Sequence, residues 1–397
     1  MILFVRKNMA DKAFITPNVL KWARESAKMS LEVAAAKAIV NAEKLSLWEQ
    51  GTEQPTIKQA EKLANIYRRP FALFFLPDVP NDFLPLQDFR RETSVELGTA
   101  SLFIIREIQQ KQAWMSEVNS ENGEGPSTFV GKYNVQSKPK EVADDILATL
   151  QIDPKNYTFS PMKEWINKAE ERGIFISRTS FIHSRLKLDS DEIQGFAIAD
   201  PHAPFIFINS QDWDAPQLFT LVHELAHLWI AASGISNELS LSDEPHDKLH
   251  PIELFCNEVA ANALMPEEVV SLFEGSIFNS ANTLLREAKR LGVSTFALLV
   301  RAKNLKLISL ESYKMLKAHA EANFKAFELK EAERAEKQKQ KTGGPNPYLL
   351  RLNKNSKLFT QIVLDGFRAG TIAATQASSL LNTQVNNFHK LEAFIYS

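Results

Sequence analysis

The chain has 397 residues, 46 Lys+Arg against 48 Asp+Glu, a formal charge of −2, one cysteine and 14 glycines. That length predicts two or three domains of about 100–200 residues, and the balanced charge excludes a globally basic nucleic-acid binder, so any DNA contact must come from a local patch. Cys256 alone cannot close an intrachain disulfide, no apolar run approaches the ~20 residues that span a bilayer, and MILFVRKNMADKAF lacks the long apolar core of a secretory signal. The expected class is therefore a cytoplasmic protein without a membrane partner. Few glycines and 44% apolar residues predict a mostly α chain with a small β-sheet, an α+β fold.

Residues 17–68 read as four short helices. Pro17 suits a first turn, and Val19, Leu20, Ala23 and Ala27 form an apolar stripe at 3/4 spacing. Ser30 is placed to cap a second helix through Ala38, and Asn41 a third, Ala42 to Gln50, which Gly51 ends. Pro55-Thr56 opens a fourth. RRPFALFFLPDVP reads as an apolar strap that docks rather than a solvated linker. A helical pattern returns from Ser101 to about Ser120, and NSENGEGPST (119–128) is a boundary. Helices follow at 138–151 and 161–173, then strand-like GIFIS, GFAIAD (195–200) and PFIFIN (204–209), the last two forming a hairpin through Pro201-His202-Ala203. Residues 216–233, 251–265 and 280–341 are helical, ending in the mixed-charge run EAERAEKQKQK. GGPNP (343–347) is the clearest linker, before a last helical segment. The boundaries this predicts are 10–80, 81–135, 136–280, 281–342 and 343–397.

His223-Glu224-Leu225-Ala226-His227 is an HExxH inside a helical stretch. Residues four apart share a helix face, so both imidazoles reach one ion, and Glu224 points near the open coordination position, where it can serve as base and then acid. A hydrolytic zinc site wants a third protein ligand. Glu253, in the helix that Pro251 opens, is the candidate, with Asn257 one turn on to hold a ligand histidine. His246 and His250 are rivals for the third position. Ile230 and Ser233 replace the Gly and His of the extended HExxHxxGxxH pattern, so the sequence favours His-His-Glu. Zinc is the expected ion, and manganese or iron also suits that donor set. Cys256 reads as a small buried residue.

FTLVHELAH with IELFCNEVAANALMP resembles the ImmA/IrrE-type metallo-endopeptidase family, and QGFAIADPHAPFIFIN is similar to its strand pair before the active helix. Residues 16–76 resemble the Xre-type helix-turn-helix fused in front of many such proteases. LQDFRR (86–91) and the tail from GGPNPYLLRL look like the long version of this architecture. The resemblance implies an N-terminal helix-turn-helix domain of four or five helices, a central HExxH metalloprotease-like domain at 136–280 and a helical C-terminal region. It implies a zinc-dependent regulatory protease that cleaves a partner repressor or toxin–antitoxin component, with His223, His227 and Glu253 as metal ligands and Glu224 as base. Val259 stands where many members carry Phe.

In the helix-turn-helix reading, Asn41, Glu43, Lys44 and Leu47 face the major groove of an operator, and Lys21, Lys28 and Lys37 meet phosphates. Between residues 16 and 80, nine Lys+Arg oppose seven Asp+Glu, a net of only +2. The same module also suits protein binding or homodimerisation. An extended substrate is expected to add as a strand at an edge near GFAIAD or PFIFIN. The competing reading is a DNA-binding repressor or antitoxin that acts by contact with a toxin, its metal site structural or sensory.

Overall fold

The computed structural model describes residues 11–80, 86–88, 97–183, 186–236, 250–273, 277–278, 280–339 and 346–395. The chain forms two compact units, Met1–Pro85 with Leu97–Arg106, and Leu86–Glu96 with Glu107–Ser397.

The first unit holds α1 (Pro17–Ser26), α2 (Leu31–Ala38), α3 (Ala42–Glu49) and α4 (Ile57–Tyr67). Each start has a local cause. Pro17 opens α1, the Ser30 hydroxyl accepts from Val33 N at 3.3 Å, Asn41 Oδ1 accepts from Glu43 N at 3.0 Å, and Thr56 makes a reciprocal box with Gln59. Arg24 of α1 donates to both carboxylate oxygens of Glu49 of α3, at 2.8 and 2.9 Å, and to Met29 O at 2.9 Å. That buried fork fixes the orientation of α3. The apolar strap docks on its own unit: Phe74 is buried, Phe74 O accepts from Thr16 N at 2.8 Å, and the Thr16 hydroxyl donates to Leu76 O at 2.6 Å. Helix α5 (Thr99–Glu121) follows, its start as far as Arg106 belonging to this unit.

The second unit is built on a five-stranded sheet in the order β1-β7-β5-β6-β2, from β1 (Gln87–Asp88), β2 (Phe175–Thr179), β5 (Gly195–Ile198), β6 (Phe205–Asn209) and β7 (Gly234–Ser236), with β3 (Phe181–His183) and β4 (Leu186–Lys187) forming a separate two-stranded sheet. β5 and β6 are the expected hairpin, in register Phe196↔Phe207. Neither is an edge, however. β5 also pairs antiparallel with β7, and β6 pairs parallel with β2, so the edge strands are β1 and β2. The expectation of a free edge at GFAIAD or PFIFIN is corrected, because pairing with residues distant in sequence fills both sides of the hairpin.

Alternation along β6 gives the sheet two different faces. Ile206 and Ile208 join the large helical core with Leu221, Val222 and Leu225. Phe205 and Phe207 face the other way, where Phe205 stacks on Phe175 at 4.6 Å and meets Phe359 edge-on at 6.1 Å. The first face is covered by α8 (Asp214–Trp229), with α6 (Pro139–Leu150), α7 (Pro161–Glu171), α9 (Pro251–Leu264), α10 (Glu267–Val270), α11 (Ala281–Leu291), α12 (Thr295–Asn304) and the start of α13 (Leu310–Lys339) completing the core. Helix α8 is buried from Gln217 to Trp229, its polar residues His223, Glu224 and His227 included. It ends at Trp229 rather than Ser233. Ala231 takes a left-handed φ of 52°, and the chain turns directly into β7, too short to show a period in sequence. On the Phe face stand α14 (Pro347–Asn355) and α15 (Lys357–Arg368), followed by α16 (Ala374–Leu381) and α17 (Phe388–Ile395). Among the described residues no helix is long and apolar enough to cross a membrane.

Candidate metal and peptidase centre

One turn of α8 separates His223 from His227, and their Nε2 atoms stand 3.0 Å apart. Glu253, in the first turn of α9, brings Oε2 to 3.2 Å from His223 Nε2 and Oε1 to 3.1 Å from His227 Nε2. Asn257, one turn further along α9, places Oδ1 2.9 Å from His223 Nδ1. A carbonyl oxygen only accepts, so Nδ1 of His223 carries the proton and its Nε2 presents a lone pair. Two imidazole nitrogens and two carboxylate oxygens thus converge on one point.

Lone pairs brought this close suit a shared cation. Donors held about 2.0–2.1 Å from a tetrahedral ion lie roughly 3.3 Å from one another, close to the spacings seen here. The residues present therefore fit a divalent metal, with His223, His227 and Glu253 able to hold it. The Cys256 sulfur belongs to the same neighbourhood, within 4.8 Å of ligand nitrogens of both histidines. Burial, reinforced by Glu253 and Glu224, pushes that thiol well up and favours its neutral form.

Charge is arranged around the same point. Burial alone would raise the Glu253 carboxyl, but His223 and His227 hold it down at about 2. Burial lowers the pKa of His227, with Glu253 working against it. Glu224 is fully buried, and among the described residues neither of its oxygens meets a donor in good hydrogen-bond geometry. Burial, then the neighbouring charge of Glu253, raise its pKa well above the usual carboxylate range, with the Ser236 hydroxyl opposing.

Two contributors escaped the sequence reading. Ser236, buried in β7, lies with its hydroxyl 3.4 Å from Glu253 Oε1. Gly195 of β5 lets the strand pass against α8: a Cβ there would stand 2.8 Å from Glu224 Oε1, 2.7 Å from Thr220 Cγ2 and 3.1 Å from Phe207 O. A glycine at a strand start is a known mark of close backbone approach, so Gly195 had a signal; Ser236 had none. Of the rival ligands, His250 caps α9 instead, Nδ1 accepting from Ile252 N at 3.3 Å. His246 lies outside the described residues.

In the first unit, Glu43 and Lys44 are exposed on α3, Asn41 is its cap, and Leu47 is half-buried. Lys21 is 4.0 Å from Glu25 on α1, Lys28 lies in the turn after α1, and Lys37 occupies the last turn of α2.

The family comparisons bear on both units. Residues 169–303 match the peptidase family model described as the IrrE N-terminal-like domain, and residues 20–74 match the helix-turn-helix model. The chain carries an IrrE-like peptidase domain behind a helix-turn-helix. The IrrE-like stretch runs from the end of α7 to α12, so it contains Gly195, His223, Glu224, His227, Ser236, Glu253 and Asn257. It leaves β1 and the C-terminal helices outside. No curated protein matches the chain. Among solved structures it is similar to the crystal structure of ComR from Streptococcus suis, at 14% identity over 98% of this chain and 97% of that one; the TM-score of 0.14 carries no argument about fold or function.

Proposed function

We propose that the chain is a regulatory metallo-endopeptidase joined to a DNA-binding helix-turn-helix, cutting one partner protein, a repressor or a toxin–antitoxin component. The observation that carries this reading is the convergence of His223, His227 and Glu253 beside the buried carboxylate of Glu224, which has no hydrogen-bond partner among the described residues. A divalent ion held there, zinc by the usual preference of such donors, would supply Lewis acidity at a scissile carbonyl. Glu224 takes a proton from the attacking water and returns it to the leaving amine. Burial and the neighbouring charge of Glu253 raise the affinity of its carboxylate for that proton. Asn257 holds the His223 ring by Nδ1, and Ser236 steadies Glu253.

The test uses the full chain and proteins encoded beside its gene. Wild type should cut one of them, and Glu224→Gln should abolish cutting while keeping its metal. Cleavage undiminished in Glu224→Gln would overturn the role of that residue. Complete burial of His223, Glu224 and His227 supports a second reading, a contact repressor or antitoxin whose metal site is structural or sensory. That reading predicts regulation unchanged by Glu224→Gln.

A further inference from the structure

The sheet edge beside the centre is already occupied. Ser236 of β7 lies against Glu253. Across the sheet it pairs with Gly195, whose Cα borders the Glu224 carboxylate. The β5–β7 seam therefore runs along the centre. The outer side of β7 pairs in parallel with β1, in register Gln87↔Gly234 and Asp88↔Ile235. Both β1 residues are exposed, and their pairing to β7 is a main-chain ladder. β1 lies between the helix-turn-helix and α5 in the chain, outside the IrrE-like stretch.

We propose that the outer edge of β7 is the docking edge for an extended peptide, and that β1 is a resident strand which blocks it. The segment leading from the helix-turn-helix is then an intramolecular competitor of the substrate. A partner protein must bring an extended segment that replaces the β1 ladder with its own, the strand-addition mode of peptide recognition. Among the described residues the β1 ladder is two residues long, and an incoming segment that pairs along more of β7 would compete with it. The inference rests on the peptidase reading for what the edge is used for.

The experiment reads binding and needs no catalysis. Asp88→Pro removes a main-chain donor from β1, and Gln87→Gly with Asp88→Gly weakens the strand without a proline, in case the first variant folds poorly. Hydrogen exchange of Gly234–Ser236 should quicken at least tenfold in either variant of the full chain. A synthetic peptide copying residues 84–91, LPLQDFRR, should bind the variants, restore protection of β7, and leave wild type untouched. Unchanged exchange in both variants, or equal binding of the peptide to wild type and variants, would overturn the proposal. Failure of the peptidase reading shows differently, as a chain that cuts no partner while the exchange and peptide results stand.

Discussion

At the residue scale, the centre is set by two spacings and one long-range approach. The pitch of α8 puts His223 and His227 on one face, and the same pitch in α9 puts Glu253 and Asn257 on another. Both facts are legible in sequence because they need only the 3.6-residue period. Ser236 was not, since it arrives from a strand whose pairing has no local signature, and Gly195 offered only the mark of a glycine at a strand start. Asn257→Ala should cut metal affinity roughly 10–100-fold by freeing the His223 ring, measured by competition with a chelator; unchanged affinity would deny Asn257 that role. Gly195→Ala forces a methyl against Glu224 and Thr220. It should reduce cleavage more than it reduces metal content, and a fully active Gly195→Ala would show that the seam tolerates the added carbon.

At the element scale, the helix-turn-helix depends on a buried ion pair and a strained turn. Removing Arg24 leaves Glu49 buried without its partner, so Arg24→Ala should destabilise the first unit by about 3–5 kcal/mol. Denaturation followed through Trp48, which is buried in α3, reads that loss. Ile39 ends α2 at a left-handed φ of 60° while 82% exposed. A β-branched residue there is strained by roughly 1–2 kcal/mol, so Ile39→Gly should raise the melting temperature; a fall would show that Ile39 makes a contact of its own. Caps at Ser30 and Asn41, and Pro55-Thr56 before the fourth, made these helices readable beforehand. The turn at Ile39 was not, because a glycine is the usual residue at such a position. For DNA, a gel shift on the promoter of its own gene should weaken steeply with salt, and Lys44→Ala should bind more weakly with a shallower salt dependence. Binding that ignores salt would assign the module to protein contacts.

At the scale of the whole molecule, the helices after GGPNP are tied into the second unit by a buried polar cluster that composition gives no hint of. Lys111 of α5 donates to Glu107 at 2.9 Å and to Asn355 at 2.8 Å, and Lys354 lies 2.8 Å from Glu107. Against the penalty of burial, Lys111 and Lys354 hold the Glu107 carboxyl down at about 2. Its contribution to stability is full above the unfolded value near 4.5 and is lost as pH falls toward 2. Glu170 of α7 has the opposite sign. Burial pushes it up to about 7, although it accepts from the Ser356 hydroxyl at 2.6 Å and Lys357 N at 3.0 Å at the start of α15. A raised carboxyl favours the protonated fold, so stability is lost as pH rises from about 4.5 through 7. Glu170→Gln keeps the acceptor without the charge. Its stability should match wild type near pH 5 and exceed it at pH 8 by on the order of 2 kcal/mol. A variant less stable at pH 8 would mean the ionised form is the one that docks α15.

The alternation in PFIFIN made the sheet's two faces readable, yet the edges were misjudged, because β2, β7 and β1 join from positions scattered over 150 residues of chain, Gln87 to Ser236. Such pairings are decided by the global fold. The peptidase function proposed for the second unit depends on a bound ion. Metal content of the purified full chain, beside a His223→Ala, His227→Ala variant, tests it directly. About one zinc per chain, lost in the variant while the fold persists, is the expected result. A well-folded wild type that holds no divalent metal, and takes up none when zinc is supplied, would contradict it.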